Sequence, residues 1–129
     1  MKKILSISLL SLFLISCGVT NPQNIRTENR SNLNKISLGM SKSDVLKIMG
    51  TETVNTSTYG PINNPYRSEI VSESGKNYEV IFYFTDLKKS DSMITDDELS
   101  PIVFFDGKVV GYGWLYLKDN IKRYQIDVR

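Results

Sequence analysis

Residues 77–85 read NYEVIFYFT, and this run constrains the fold more than any other part of the chain. β-Branched and aromatic side chains dominate it, which suits a pleated surface better than a helix. The run is expected to form a central strand. Val80, Phe82 and Phe84 then fall on one face and Ile81, Tyr83 and Thr85 on the other, because side chains alternate along a strand. An aromatic-rich sheet face needs a cover, so helices must lie elsewhere in the chain.

The flanking segments supply partners. Residues 66–73, YRSEIVSE, alternate loosely and read as an edge strand, with Ser74-Gly75 as the turn into the central one. Residues 101–105, PIVFF, read as the next strand, with Pro101 tolerated only at its start. Asp106-Gly107 is a strong two-residue hairpin signal. Residues 108–117, KVVGYGWLYL, would complete that hairpin and give an antiparallel meander. Residues 118–129 either extend a strand or pack loosely.

The cover is sought upstream. Gly39 and Gly50 bracket a short helix, with Ser41 as N-cap and Asp44 at the positive end. Val45, Ile48 and Met49 share one face, and Gly50 suits a left-handed stop. A helix of about three turns is not stable alone, so this face must pack on the sheet. Residues 59–65, YGPINNP, form a turn-rich connection that is either plain or a binding loop.

The chain opens with an export signal. Lys2 and Lys3 precede an apolar run from Ile4 to Ile15, too short to cross a hydrocarbon core of about 30 Å. Leu14-Ile15-Ser16-Cys17 resembles the bacterial lipobox. That resemblance implies cleavage before Cys17 and a diacylglycerol on its thiol. Residues 1–16 are then the lipoprotein signal peptide, and residues 17–34 the lipidated Cys and a flexible, polar tether. Residues 35–129 are the folded domain. Several acyl chains anchor stably where one would not. Gly18 is not an Asp, which by the same resemblance implies outer-membrane delivery facing the periplasm.

The segment from Ile36 to Gly50 resembles the opening of the SmpA/OmlA family of small BamE-like bacterial lipoproteins. The matching residues are Ile36, Gly39, Met40, Ser41, Val45 and Gly50. A later stretch is similar to uncharacterised members of that family at Tyr83, Thr95 to Glu98, Pro101, Val103, Phe104, Gly107, Lys108, Gly111 and Gly113. The resemblance implies an α+β domain: one or two short N-terminal helices on a three- to four-stranded antiparallel sheet. It also implies a protein partner in outer-membrane protein assembly or envelope maintenance.

Several constellations have two readings. Tyr112, Trp114 and Tyr116 are expected on one strand face, as an exposed aromatic row for a partner or as core. Gly111 and Gly113 on the opposite face either curve the sheet or admit a helix or partner backbone closely. Thr95 to Glu98, with Asp86 and Asp91, could offer oxygen ligands to a cation; the plainer reading is a solvated loop with a Thr95/Glu98 capping box. Lys88-Lys89 could touch anionic headgroups.

Composition narrows the chemistry. The chain has no His, hence neither the commonest general base nor the commonest metal ligand. One Cys excludes an intramolecular disulfide. Loss of Lys2 and Lys3 takes the net charge from +2 to about 0, so no basic face marks a nucleic-acid binder. The expectation is a non-enzymatic envelope lipoprotein that binds a protein, with no catalytic residue, cofactor, metal, nucleic acid or small-molecule substrate. The alternative is an inhibitor or immunity-type protein that grips an enzyme with its sheet face, as β-lactamase-inhibitor-like folds do. Labelled palmitate is expected to enter the chain and to be lost in Cys17→Ser; incorporation that survives the substitution would overturn the assignment.

Overall fold

The computed structural model describes residues 18–121. Residues 1–17, which hold the expected signal peptide and Cys17, and residues 122–129 lie outside the described residues. In chain order the elements are α1 (Pro22–Leu33), α2 (Lys42–Met49), β1 (Val54–Thr56), β2 (Gly60–Ile62), β3 (Arg67–Glu73), β4 (Lys76–Phe84), a single 3-10 turn at Asp96–Glu98, β5 (Leu99–Phe105), β6 (Lys108–Tyr112) and α3 (Trp114–Asn120). The expected α+β class is the observed one. Two N-terminal helices pack on a four-stranded antiparallel sheet of order β3-β4-β5-β6, joined by a C-terminal helix and a β1-β2 hairpin. No helix among the described residues is long and apolar enough to cross a membrane.

Strand β4 is central, and residues 80–84 are buried without interruption. The expected alternation holds. Val80, Phe82 and Phe84 join Leu99, Val103, Leu117 and Ile121 in one core, against α3 and the hairpin residue Ile62. Ile81 and Tyr83 join Ile102, Phe104 and Val109 in the other, against Ile36 and the α2 residues Val45 and Met49. The sheet is therefore covered on both sides, a stronger condition than the one cover the sequence suggested. Each fully buried side chain of this size contributes roughly 1.5–3 kcal/mol.

Helix α2 forms as its caps direct. The Ser41 hydroxyl accepts the Asp44 N–H at 3.1 Å. Gly50 stops the helix at φ 87° and ψ 159°, a glycine conformation more extended than the left-handed helical one expected. Lys42 on the first turn pairs with Glu79 of β4.

The tether expectation fails over residues 22–33, which form α1. Asn21 caps the helix by accepting the Gln23 N–H at 2.9 Å, and Pro22 sits in its first turn. Its inward face carries Pro22, Ile25, Arg26 and Asn29 rather than a row of aliphatics. The Arg26 guanidinium lies 5.2 Å from the Phe84 ring centre. Asn29 donates from Nδ2 to the Phe84 carbonyl at 2.8 Å and to Asn64 Oδ1 at 3.0 Å. Asn64 in turn donates to the Met49 carbonyl at 3.0 Å. One amide relay thus joins α1, the end of α2, the loop before β3 and the end of β4. The domain begins by residue 20, where Thr20 donates its N–H to Asn55 at 2.8 Å, and not at residue 35. Residues 59–65 are also more than a connection. They complete the β1-β2 hairpin, and Tyr59 meets Phe84 edge-on at 5.5 Å.

The hairpins fall where expected. Ser74-Gly75 joins β3 to β4, and Asp106-Gly107, both at positive φ, joins β5 to β6. Pro101 is the third residue of β5 rather than its first. Its carbonyl accepts the Gly113 N–H at 2.8 Å, so its donor-less nitrogen faces the place where β6 has already ended. The expected strand over 108–117 stops at Tyr112. Gly113 turns the chain at φ 84°, and residues 114–120 coil into α3. A run apolar at nearly every position does not distinguish strand from helix by its period, and glycine at the junction permitted the turn.

Tyr83 donates its hydroxyl to the Gly50 carbonyl at 3.0 Å, and burial pushes that hydroxyl above the ordinary phenol value of 10.0. The unfolded chain then ionises first, so stability is full below about pH 10 and falls as pH rises further. Tyr83→Phe is expected to flatten this alkaline decline and to lose about 1 kcal/mol at neutral pH with the hydrogen bond. Urea melts between about pH 8 and pH 11 check both.

Candidate partner surface

The expected aromatic row lies at the junction of β6 and α3, and the structure breaks it up. Tyr112 ends the strand, whereas Trp114 and Tyr116 belong to the helix. A bulge precedes them: Val103 opposes Gly111 and Phe104 opposes Val109, which leaves Val110 as the extra residue. The bulge shifts the alternation of the strand, so Val110 packs with the α3-side core while Tyr112 stands opposite Ile102 on the other face.

Trp114 is structural. Its Nε1–H donates to the Leu99 carbonyl at 2.8 Å, and its ring lies 5.7 Å from that of Phe82. Phe82 also receives the Arg67 guanidinium, 4.2 Å from its centre. Arg67 pairs with the buried Asp96 and with Glu69 at 3.1 Å, so charge, ring and indole form one packed stack. Tyr116 is structural as well. A Cβ on Gly111 would stand 2.4 Å from the Tyr116 ring, which means that the ring occupies the side-chain space of the glycine. Close approach, rather than sheet curvature alone, is the role of Gly111. Burial, with a smaller contribution from Tyr78, raises the Tyr116 hydroxyl above its ordinary value.

What remains outward is a different set. Tyr112 is 46% exposed and Leu115, just past the Gly113 turn, is 75% exposed. Leu38 is also exposed, and it precedes the Gly39–Lys42 stretch that bonds to the outer edge of β6. In that stretch Gly39 N–H meets the Val109 carbonyl at 2.8 Å and Val109 N–H meets the Met40 carbonyl at 2.9 Å. Three exposed apolar residues are therefore carried by segments that meet at β6. The backbone under them is held by a paired edge, a bulge and an anchored indole.

The acidic loop is organised around one residue. Glu98 is fully buried and accepts the N–H groups of Lys88 at 2.9 Å, Lys89 at 3.2 Å and Thr95 at 3.0 Å. Charge-assisted bonds of this kind are about twice as strong as neutral ones. The Glu98 half of the expected capping box is thus present. The solvated reading holds for only part of the loop: Leu87 to Ser90, Ser92 and Met93 are exposed, whereas Thr95 and Asp96 are buried with Glu98. The Thr95 hydroxyl donates to Asp97 at 2.7 Å. Lys88 bonds Asp86 at 2.7 Å and holds that carboxyl below the usual carboxylate range. Among the described residues no three of His, Cys, Asp and Glu converge on a common point. The T-x-x-E spacing signals the cap, but nothing local signals the two lysine amides.

Two open clefts border α1. One of about 570 Å³ lies against α2 and is lined by Asn24, Glu28, Leu46, Met49 and Asn64 among others. One of about 480 Å³ lies between Arg30, Asp86, Ser100 and Trp114. Both mix polar and apolar walls.

A family model with the description protein of unknown function (DUF3192) matches residues 20–119. No curated protein and no solved structure matches the chain. The resemblance to the SmpA/OmlA family is overturned, because no model of that family matches. The helix pattern of Ile36 to Gly50 expresses the caps and apolar face that any short amphipathic helix on a sheet requires. The matched region begins ahead of α1, in agreement with a domain that starts by residue 20.

Trp114→Ala is expected to cost about 3 kcal/mol and Gly111→Ala about 1–3 kcal/mol in denaturant melts, the first by a cavity and the second by overpacking. Tyr112→Ala is expected to change stability by no more than about 0.5 kcal/mol.

Proposed function

We propose that this chain, which belongs to the DUF3192 family, is a non-enzymatic envelope lipoprotein that docks a protein partner through the β6-α3 corner. The observation that carries the reading is the corner itself. Exposed Tyr112 and Leu115 flank Gly113 and Trp114, and this junction is held by the Trp114 bond to Leu99 and by Tyr116 on Gly111. Exposed apolar side chains on a rigid support lose little freedom on binding, which favours an interface hot spot. The partner chemistry that fits is a protein surface with an apolar pocket for one aromatic and one aliphatic side chain.

The lipobox at Leu14 to Cys17 supports anchoring at a membrane through lipid on Cys17. Anchoring raises the effective concentration near membrane-bound partners, so a modest interface suffices. The partner is defined here by its chemistry, since the family likeness that suggested outer-membrane assembly no longer stands. An inhibitor that grips an enzyme with a bare sheet face has less support, because α2 covers one face and α3 with the hairpin covers the other.

The test is cross-linking in native membranes with the full chain and with Tyr112→Ala/Leu115→Glu. Loss of a cross-linked partner by about tenfold, at unchanged melting behaviour, is the expected result. A partner retained in full by the double variant sinks the corner as the docking surface. Release of Cys17→Ser chain from the membrane fraction checks the anchor separately.

A further inference from the structure

The two edges of the sheet are treated differently. The outer edge of β6 is occupied by Gly39–Lys42, through four-residue pairing that includes Lys42 N–H to the Gly107 carbonyl at 2.9 Å. The outer edge of β3 has no strand against it among the described residues, although β3 runs for seven residues. Long open edges are usually blunted, and a foreign strand would meet three charges here, at Arg67, Glu69 and Glu73.

We propose that β3 pairs antiparallel with β3 of a second copy of this chain, about a two-fold axis through Ile70. The sequence RSEIVSE is self-complementary about that residue. Arg67 falls opposite Glu73 of the second copy, Ser68 opposite Ser72, Glu69 opposite Val71, and Ile70 opposite itself. Directly opposed side chains lie on the same sheet face, so the two Arg–Glu pairs are attractive and no like charges oppose. A shift of the register by two residues removes both pairs and sets Glu69 against Val71 no longer. Ile70 is 68% exposed on the α2 side of the sheet, and the axis sets it against its own copy. Glu73 has one carboxylate oxygen, Oε2, that is buried without a hydrogen-bond partner among the described residues, so a positive charge brought opposite it is favoured. An isologous contact of this kind closes at a dimer and joins two four-stranded sheets into one. Strand pairing alone buries less than a standard interface, so the dimer is weak in solution and depends on concentration. The inference is independent of the β6-α3 corner, which lies at the opposite edge.

The experiment reads the register directly, in full chains carrying Cys17→Ser so that no other thiol is present. Ile70→Cys is expected to form a disulfide dimer on mild oxidation. Ser68→Cys and Ser72→Cys are each expected to stay monomeric alone, since like positions then lie roughly 14 Å apart, and to cross-link when mixed. All three positions are exposed, or lie on an exposed edge, so the folded state is retained and circular dichroism verifies it. In sedimentation equilibrium the Ile70→Lys chain is expected to dissociate at least tenfold more readily than the parent. A parent chain that remains monomeric to about 1 mM, or an Ile70→Cys chain that cross-links no better than a Ser57→Cys control, overturns the proposal. Cross-linking of Ser68→Cys with itself overturns the register.

Discussion

The burial of β4 on both faces is the condition from which the rest of the architecture follows. Five consecutive residues from Val80 to Phe84 are removed from water, and alternate ones face opposite ways. No single cover can satisfy such a strand. Helix α2 and Ile36 close one side, whereas α3, Ile62 and Ile25 close the other. The chain reaches both sides by placing its helices at opposite ends of the sequence. Helix α1 lies across the end of β4, where Asn29 and Arg30 bond the carbonyls of Phe84 and Thr85.

The apolar layers supply most of the driving force, but polar contacts fix the geometry. An unmet backbone group in the interior costs about 1–3 kcal/mol, so each of these contacts discriminates against shifted packings. The Asn29–Asn64 relay answers carbonyls at the ends of α2 and β4. Glu98 gathers three amides of the long β4-β5 connection and so holds a segment with few apolar anchors. The Trp114 indole answers the Leu99 carbonyl, directly after Glu98. Loop, core and corner are thereby linked through adjacent residues of one strand start.

This linkage bears on the junction of β6 and α3. The corner that presents Tyr112 and Leu115 is not a loose loop: Trp114 between them bonds the Leu99 carbonyl and packs on Phe82, which also receives Arg67. Residues that look interchangeable by type have separated roles: two aromatics hold the corner and one faces outward. The two sheet edges are separated in the same way, one sealed by the segment before α2 and one, along β3, with no strand against it among the described residues.

The sequence by itself determined the elements whose causes lie within a few residues. The Ser41 cap, the Gly50 stop, the Asp106-Gly107 turn and the alternation of residues 80–84 act over one turn or one strand, and all are present as expected or nearly so. Only the tertiary structure decided the others. Helix α1 looks too polar to fold because its inward face is Arg26 and Asn29, whose partners lie at Phe84 and Asn64, far along the chain. Residues 114–120 are apolar enough for either a strand or a helix, and the core above Phe82 and Gly111 selected the helix. The row of Tyr112, Trp114 and Tyr116 dissolved for the same reason, since a side chain's exposure depends on what packs against it. Local propensity is settled by neighbours in sequence, whereas burial is settled by neighbours in space, and the second cannot be read until the chain has closed.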